Sequence, residues 1–313
     1  MKNILVIGSI NMDLTIQVDR IPRAGETLKG YGLAANPGGK GANQAAAMAK
    51  LGAPVRMLGA VGRDEYGARL RASLSSCGVD CSAVANADAH TGLAFITVCR
   101  GDNCIVIDSG ANGAVLPETI RQHAALLDWA DILVLQLEIP LETVAYAAKA
   151  AKAAGTFVIL NPAPAGQTLP ETLLRHVDLL IPNEHEASLL LGGKPVSAEN
   201  AQTAARELYE AYNSGVIITL GDKGCVYYDG SAPLCQPAAA VAAVDTTAAG
   251  DSFIGGLCCA IAADAPMEKA VRYATAVSSV TVTRHGALPS LPTKAEADAA
   301  FERIFGSAAK HTD

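Results

Sequence analysis

The chain has 313 residues, half of them hydrophobic and 18% charged, so it can bury a large core and is not disordered in the main. A formal net charge of −7 argues against a protein that grips nucleic acid through its phosphates. Mean hydropathy is positive, but abundant Ala is the cause, and the apolar runs are too short to cross a bilayer. Ile4–Ile7 is broken at once by Gly8, Ser9, Asn11 and Asp13, and Gly255–Ala263 is about half the length of a span. The first of these runs is also shorter than a signal-peptide core. The expectation is a soluble, cytoplasmic protein with neither membrane nor nucleic acid as partner.

The predicted elements begin with a strand over Asn3–Gly8, a short apolar run closed by Gly-Ser. Glu26–Leu33 reads as β structure. So do Thr91–Cys99 and Cys104–Ile107, which flank the turn-rich Arg100-Gly-Asp-Asn103 and predict a hairpin. Gly41–Leu51 carries helix formers, and Val55–Val61 is a strand. From Asp131 the alternation is regular: strand Ile132–Leu135, helix Leu141–Ala153, strand Phe157–Leu160 and strand Leu179–Ile181. Helices Glu184–Leu191 and Ala198–Tyr212 follow, then strand Val216–Leu220 with Cys225–Tyr228 as its hairpin partner. This order predicts one α/β domain over 1–313, a doubly wound, mainly parallel sheet with helices on both faces. Segments 10–34 and 91–108 are expected to form a small β-sheet lid inserted in its N-terminal half.

Eight cysteines show no C-x-x-C and no accompanying histidine pair, so a zinc site is not expected. They are expected to be reduced thiols that act as small buried hydrophobes.

Three segments could carry chemistry. In Val244-Asp-Thr-Thr-Ala-Ala-Gly-Asp251 a turn of small residues lies between two acids and feeds a helical pattern that starts near Ala249. Its free N–H groups would make an anion hole, and Asp251 at the helix mouth could take a proton from a hydroxyl attacking phosphorus held there. Asp251 or Thr247 could equally serve as a helix cap. Asn36-Pro-Gly-Gly-Lys-Gly-Ala-Asn43 resembles a phosphate loop, but Gly41 follows the lysine and no strand is predicted just before it, so it is not a Walker A sequence. A plain glycine-rich turn before an Ala-rich helix would read the same way. Finally, Asn11 and Asp13 after the first strand, Glu138, Asn183 with Glu186, and Thr219 with Gly221 all lie at or just beyond the ends of predicted strands. Four strand ends with polar groups point to one ligand-binding edge of the sheet.

These segments carry a resemblance over essentially the whole chain. Gly8–Asp13, Gly38–Ala45, Leu58–Gly67, Gly110–Asn112, Ile181–Glu186, Asp245–Asp251 and Val282–Ser290 resemble the ribokinases, within the phosphofructokinase-B type family of sugar and nucleoside kinases. The resemblance implies a ribokinase-like fold and ATP-dependent phosphorylation of the primary hydroxyl of a small sugar, D-ribose first. Deoxyribose, another pentose or hexose, or a nucleoside are alternatives, with a non-catalytic sugar-binding protein behind them.

It also implies roles. Asp251 would be the catalytic base, and Ala248, Ala249 and Gly250 the anion hole. Asn11, Asp13, Gly39, Lys40, Asn43 and Glu138 would contact the sugar; Asn183, Thr219 and Gly221 the nucleotide. Glu186 would help to hold Mg²⁺ through water. Asp245, Thr247, Thr281, Arg284, Gly286 and Ser290 would form a K⁺-type monovalent-cation loop, mostly through backbone. The lid would make a homodimer interface. Ser252 and Ile254 depart from the Thr-Phe-Asn-Gly common in the family after the base, and Asp108-Ser109 is more acidic than the family pattern. These departures bear on the sugar accepted.

Overall fold

Runs of Ile, Leu and Val with no polar residue between them can be buried on both faces, and these runs form the central sheet. The computed structural model describes residues 1–99, 102–166 and 168–306. Thirteen strands occur among them: β1 Ile4–Ile7, β2 Asn11–Gln17, β3 Tyr31–Gly38, β4 Val55–Gly62, β5 Asp80–Ala87, β6 Gly92–Cys99, β7 Asp102–Asp108, β8 Ile132–Leu135, β9 Phe157–Leu160, β10 Leu179–Leu180, β11 Gly215–Thr219, β12 Cys225–Tyr228 and β13 Leu234–Gln236. Nine make one sheet in the order β13-β12-β11-β10-β9-β8-β1-β4-β5. From β5 to β11 every pairing is parallel, and β12 and β13 add an antiparallel edge. Successive β1 residues serve opposite layers. Ile4 and Val6 pack with Met48, Leu257 and Val277 on one face; Leu5 and Ile7 pack with Val144 and Leu173 on the other.

The chain first runs outward from β1 to β4 and β5, then returns to β8 and runs the other way to β11. The order therefore reverses between β1 and β8, and a crevice opens at the carboxyl ends of those two strands. Ser9 and Asn11 follow β1 there, and Gln136 and Glu138 follow β8.

The other four strands form a separate sheet in the order β3-β2-β6-β7, with β2 and β6 parallel. The predicted strand Glu26–Leu33 lies further on, at Tyr31–Gly38, and it runs straight into the helix Lys40–Lys50. A strand thus does precede the glycine-rich loop, against expectation. The Pro37 that hid it is tolerated because β3 is an edge strand, where a missing N–H breaks no ladder. β6 and β7 pair as the expected hairpin from Leu93↔Asp108 to Cys99↔Asp102; its predicted turn at Arg100-Gly101 lies outside the described residues.

Other differences are local. The helix predicted from Ala198 begins at Ala201 after the turn at Asn200. β5, β13 and the helices Glu65–Ser76, Met267–Thr281 and Lys294–Phe305 were not anticipated. All eight cysteines are free, but only Cys225, Cys258 and Cys259 are buried. Cys81, Cys104 and Cys235 lie on edge strands, Cys99 at the end of β6 and Cys77 at a helix end, where small thiols are tolerated without burial. Among the described residues no helix is long and apolar enough to cross a membrane.

Candidate active site

Two helices meet at the crevice. Gly255 on Ala249–Ala262 packs so closely on Lys40–Lys50 that a Cβ there would fall 2.5 Å from the Ala47 Cβ. This contact, about two turns into each helix, sets how closely the two helices approach. Gly39, at φ 91°, turns the chain from β3 into its helix, and a Cβ on it would lie 2.7 Å from the Asn11 backbone nitrogen.

Asp251 is buried in the first turn of Ala249–Ala262. Its Oδ2 accepts from Asn43 Nδ2 at 2.9 Å and its Oδ1 from Gln44 Nε2 at 2.9 Å. It is not a capping group, and neither is Thr247. The N-cap is Ala248, at φ 59° in the left-handed region, with no side-chain cap. An alanine held there is strained, as at sites where backbone N–H groups must face a ligand. In the expected anion hole the Ala249 N–H donates to Thr246 O at 3.1 Å, and the Ser252 N–H donates to Ala248 O at 2.8 Å.

The sugar-contact candidates surround the same carboxylate. Glu138 Oε2 accepts from Ser9 Oγ at 2.5 Å and from the Lys40 backbone N–H at 3.1 Å, which ties the ends of β1 and β8 to the helix. Asn11 Oδ1 accepts from Asn112 Nδ2 at 2.7 Å, and Asn112 Oδ1 accepts from the Ile10 N–H at 2.9 Å. Asp13 pairs with Asn36 across β2 and β3. Burial first, then the neighbouring charges of Glu138 and Asp251, push its carboxyl up to about 7, although Lys40 opposes this. Burial alone would lower the Lys40 ammonium, but Asp251, Glu138, Glu186 and Asp13 together hold it above its ordinary value. One lysine thus answers four acids.

On the far side of the Ala249 helix mouth a cleft of about 480 Å³ is lined by Thr219, Gly221, Gly224, Gly250, Phe253 and Ser279, among others. Thr219 and Gly221 are therefore brought to the anion-hole turn. Asn183 is bridged to Thr219, but its side chain is engaged in a capping box. It accepts from the Glu186 N–H at 2.8 Å while Glu186 Oε2 accepts from the Asn183 N–H at 2.9 Å. Burial raises the Glu186 carboxyl. Ile254 faces the core with Leu257 and does not line the cleft; its neighbour Phe253 does.

The predicted cation loop comes together around Asp245. Its Oδ1 accepts from the Thr247 N–H and its Oδ2 from the Gly286 N–H, both at 2.9 Å. Burial would raise this carboxyl, but those bonds hold it below the usual range. Arg284 turns its guanidinium to Glu296, leaving its backbone on the loop, and Ser290 Oγ donates to Ala287 O. Thr281 is buried at the end of the helix Met267–Thr281.

Sequence reading missed Ser9, Gln44, Asn112, Gln136 and Asn161. Gln136 and Asn161 directly follow β8 and β9, so the rule that singled out Glu138 and Asn183 also applied to them.

A buried carboxylate in a polar cradle, with its neighbour Gly250 lining a cleft, at the switch point of a doubly wound sheet, marks an α/β enzyme that moves a group between two ligands. The chain matches the family described as pfkB family carbohydrate kinase over residues 1–294, and it belongs to that family. It is similar to the ribokinase of Haemophilus influenzae, 39% identical over 297 residues that cover 94% of this chain and 97% of that one. A deoxyribokinase of Salmonella typhi is 36% identical over 292 residues, 93% of this chain and 95% of that one. The structure of Arabidopsis thaliana ribokinase complexed with ribose and ATP matches with a TM-score of 0.89 at 33% identity, covering 96% of this chain and 99% of the other. The activity is that of an ATP-dependent sugar kinase.

Proposed function

We propose that this enzyme transfers the γ-phosphoryl group of ATP to the 5-hydroxyl of D-ribose. The sugar lies in the cradle of Asn11, Asp13, Gly39, Lys40, Asn43 and Glu138, and the nucleotide in the cleft beside Asn183, Thr219 and Gly221. One observation carries this reading: Asp251 is in contact with Asn43 on the cradle side, while its neighbour Gly250 lines the cleft. The hydroxyl oxygen forms its bond to the γ-phosphorus as the bond from that phosphorus to the bridging oxygen of ADP breaks, and the hydroxyl proton passes to Asp251. The free N–H groups of Ala248 and Gly250, the Ala249 N–H once it leaves Thr246 O, and the helix N-terminus meet the charge on the transferred group. Lys40 balances the crowd of acids.

Two ions complete the proposal. Among the described residues no cluster of three or more His, Cys, Asp or Glu side chains is arranged for a metal. Glu186, with one oxygen committed to Asn183, therefore suits a Mg²⁺ that keeps its waters and phosphate ligands. When bound, Mg²⁺ offsets phosphate charge. The backbone oxygens of Thr247, Thr281, Arg284 and Gly286, with Asp245 and Ser290, offer hard donors for K⁺, which would stiffen the loop leading into the anion hole.

The small sheet is read as a lid over the sugar and as a homodimer surface. Its cross-strand pairs put Leu14, Phe95 and Val106 on one face and Asp13, Ala94 and Ile107 on the other. Phe95, Val106 and Leu33 are exposed large apolar groups that a second copy would cover. We place the enzyme in the cytoplasm. The test is ADP release over a panel of ribose, 2-deoxyribose, hexoses and nucleosides. Ribose should give the highest kcat/KM, and a better 2-deoxyribose or nucleoside substrate overturns the ribose assignment.

A further inference from the structure

Behind Asp251 runs a chain of buried side-chain amides. Gln44 Nε2 donates to Asp251 Oδ1 at 2.9 Å and to Asn161 Oδ1 at 3.2 Å. Gln136 Nε2 donates to Gln44 Oε1 at 2.6 Å, and Asn161 Nδ2 donates to the Ile181 carbonyl at 3.0 Å. Donor and acceptor logic fixes every orientation. A backbone carbonyl only accepts, so Asn161 must turn its Nδ2 to Ile181 and its Oδ1 to Gln44. A carboxylate also only accepts, so Gln44 faces two acceptors and must offer both its Nε2. Its Oε1 is left for Gln136, which must then present its own Nε2.

That direction is held at a cost. Gln136 Oε1 is buried without a partner, packed where a Cβ on Gly8 would be only 2.0 Å away. An unpaired buried acceptor is unfavourable, and turning the Gln136 amide would only set oxygen against oxygen at Gln44. The network therefore satisfies the carboxylate before it satisfies itself.

We propose that Gln44 is the positioning residue of the base. It holds Oδ1 of Asp251 in a fixed hydrogen bond, so that Oδ2, on the Asn43 side, is the oxygen that takes the proton from the sugar hydroxyl. Gln136 and Asn161 lock Gln44 in that orientation. The assignment rests on the reading of Asp251 as the base.

Two variants test it, with Asp251→Asn alongside. Gln44→Met keeps the length and removes the donor; Gln136→Met keeps Gln44 and its two acceptors but leaves its Oε1 without a donor, which loosens the amide from that side. Each should lower kcat about tenfold or more, as misplacement of a reacting group does, with KM for ribose and for ATP changed less than twofold. Gln44→Glu adds a like charge beside the base and should move the acidic limb of the kcat–pH profile to higher pH, a readout that mere loss of packing leaves in place. Near-normal turnover in Asp251→Asn overturns the base reading itself. If Asp251→Asn is inactive but both Met variants, folded by melting temperature and ATP binding, keep wild-type kcat, and Gln44→Glu keeps the wild-type limb, the positioning role alone is overturned.

Discussion

Asn43 gives its Nδ2–H to Asp251 Oδ2 at 2.9 Å, and its own Oδ1 is buried without a hydrogen-bond partner. Leaving such an acceptor unpaired costs about 1–3 kcal/mol. A sugar hydroxyl that donates to it would remove this cost and would at once be anchored one side chain away from the base. Asn43→Ala should therefore raise the ribose KM roughly tenfold, the value of about one good hydrogen bond, and leave the ATP KM within twofold. Steady-state kinetics with each substrate varied in turn checks this; an unchanged ribose KM would remove Asn43 from the cradle.

Asp13 should make ribose binding pH-dependent. Its carboxyl is raised to about 7, with burial as the main cause and the charges of Glu138 and Asp251 as the next. Below that pH the free enzyme holds a proton there. Sugar hydroxyls donate to the ionised form, so binding expels the proton, and affinity should rise with pH through about 7 and then level off. Calorimetric titration of ribose without ATP across that range measures it, and Asp13→Asn should flatten the curve. The same shift acts on stability. Between the ordinary carboxyl value and about 7 the folded chain binds more protons at this position than the unfolded chain. This group therefore lowers stability as pH rises through that window.

The central sheet was legible because its strands are apolar on both faces and separated by helical periodicity, as at Ile132–Leu135 and Phe157–Leu160. β5, Asp-Cys-Ser-Ala-Val-Ala-Asn-Ala, was not; it is half exposed at the sheet edge and lacks an apolar run. β3 was displaced by its Asn-Pro-Gly, which reads as a turn until β2 supplies the pairing. In the site, residues in glycine-rich or acidic motifs were found because their composition is unusual. Gln44, Gln136 and Asn161 were not, because an isolated amide carries no pattern and gains its role only when β1, β8, β9 and the helix Lys40–Lys50 converge. Asp251 looked like a possible cap, and only the structure, with Ala248 at the N-cap and Asp251 bound to Asn43 and Gln44, excludes that role.

Asp245 joins two segments distant in sequence, through the Thr247 and Gly286 N–H groups, and flanks the anion-hole turn. A K⁺ ion held by the carbonyls around it would stiffen the loop without touching sugar or nucleotide. Activity in a Na⁺-only assay should rise on addition of K⁺, and Asp245→Ala should abolish the response while the protein still binds ATP. Equal rates in the two salts would show that the protein's own hydrogen bonds suffice to order the loop.

Gly255 and Ala47 form a close contact between the two site helices. A Cβ at position 255 would lie 2.5 Å from the Ala47 Cβ, closer than two carbons can pack, and neither atom is the end of a flexible chain. Gly255→Ala must therefore push Ala249–Ala262 away from Lys40–Lys50. Overpacking of this kind costs about 1–3 kcal/mol, which the gain of at most about 1 kcal/mol from replacing a mid-helix glycine offsets only in part. The shift would also be felt at the helix starts, where Asn43 and Gln44 reach Asp251. Both the melting temperature and kcat should fall. Ala47→Gly in the same chain restores the space and should recover both kcat and melting temperature, because the mid-helix glycine it adds replaces the one removed at position 255. A Gly255→Ala enzyme with wild-type kcat would mean that the first turns of the two helices are held in register by something other than this contact.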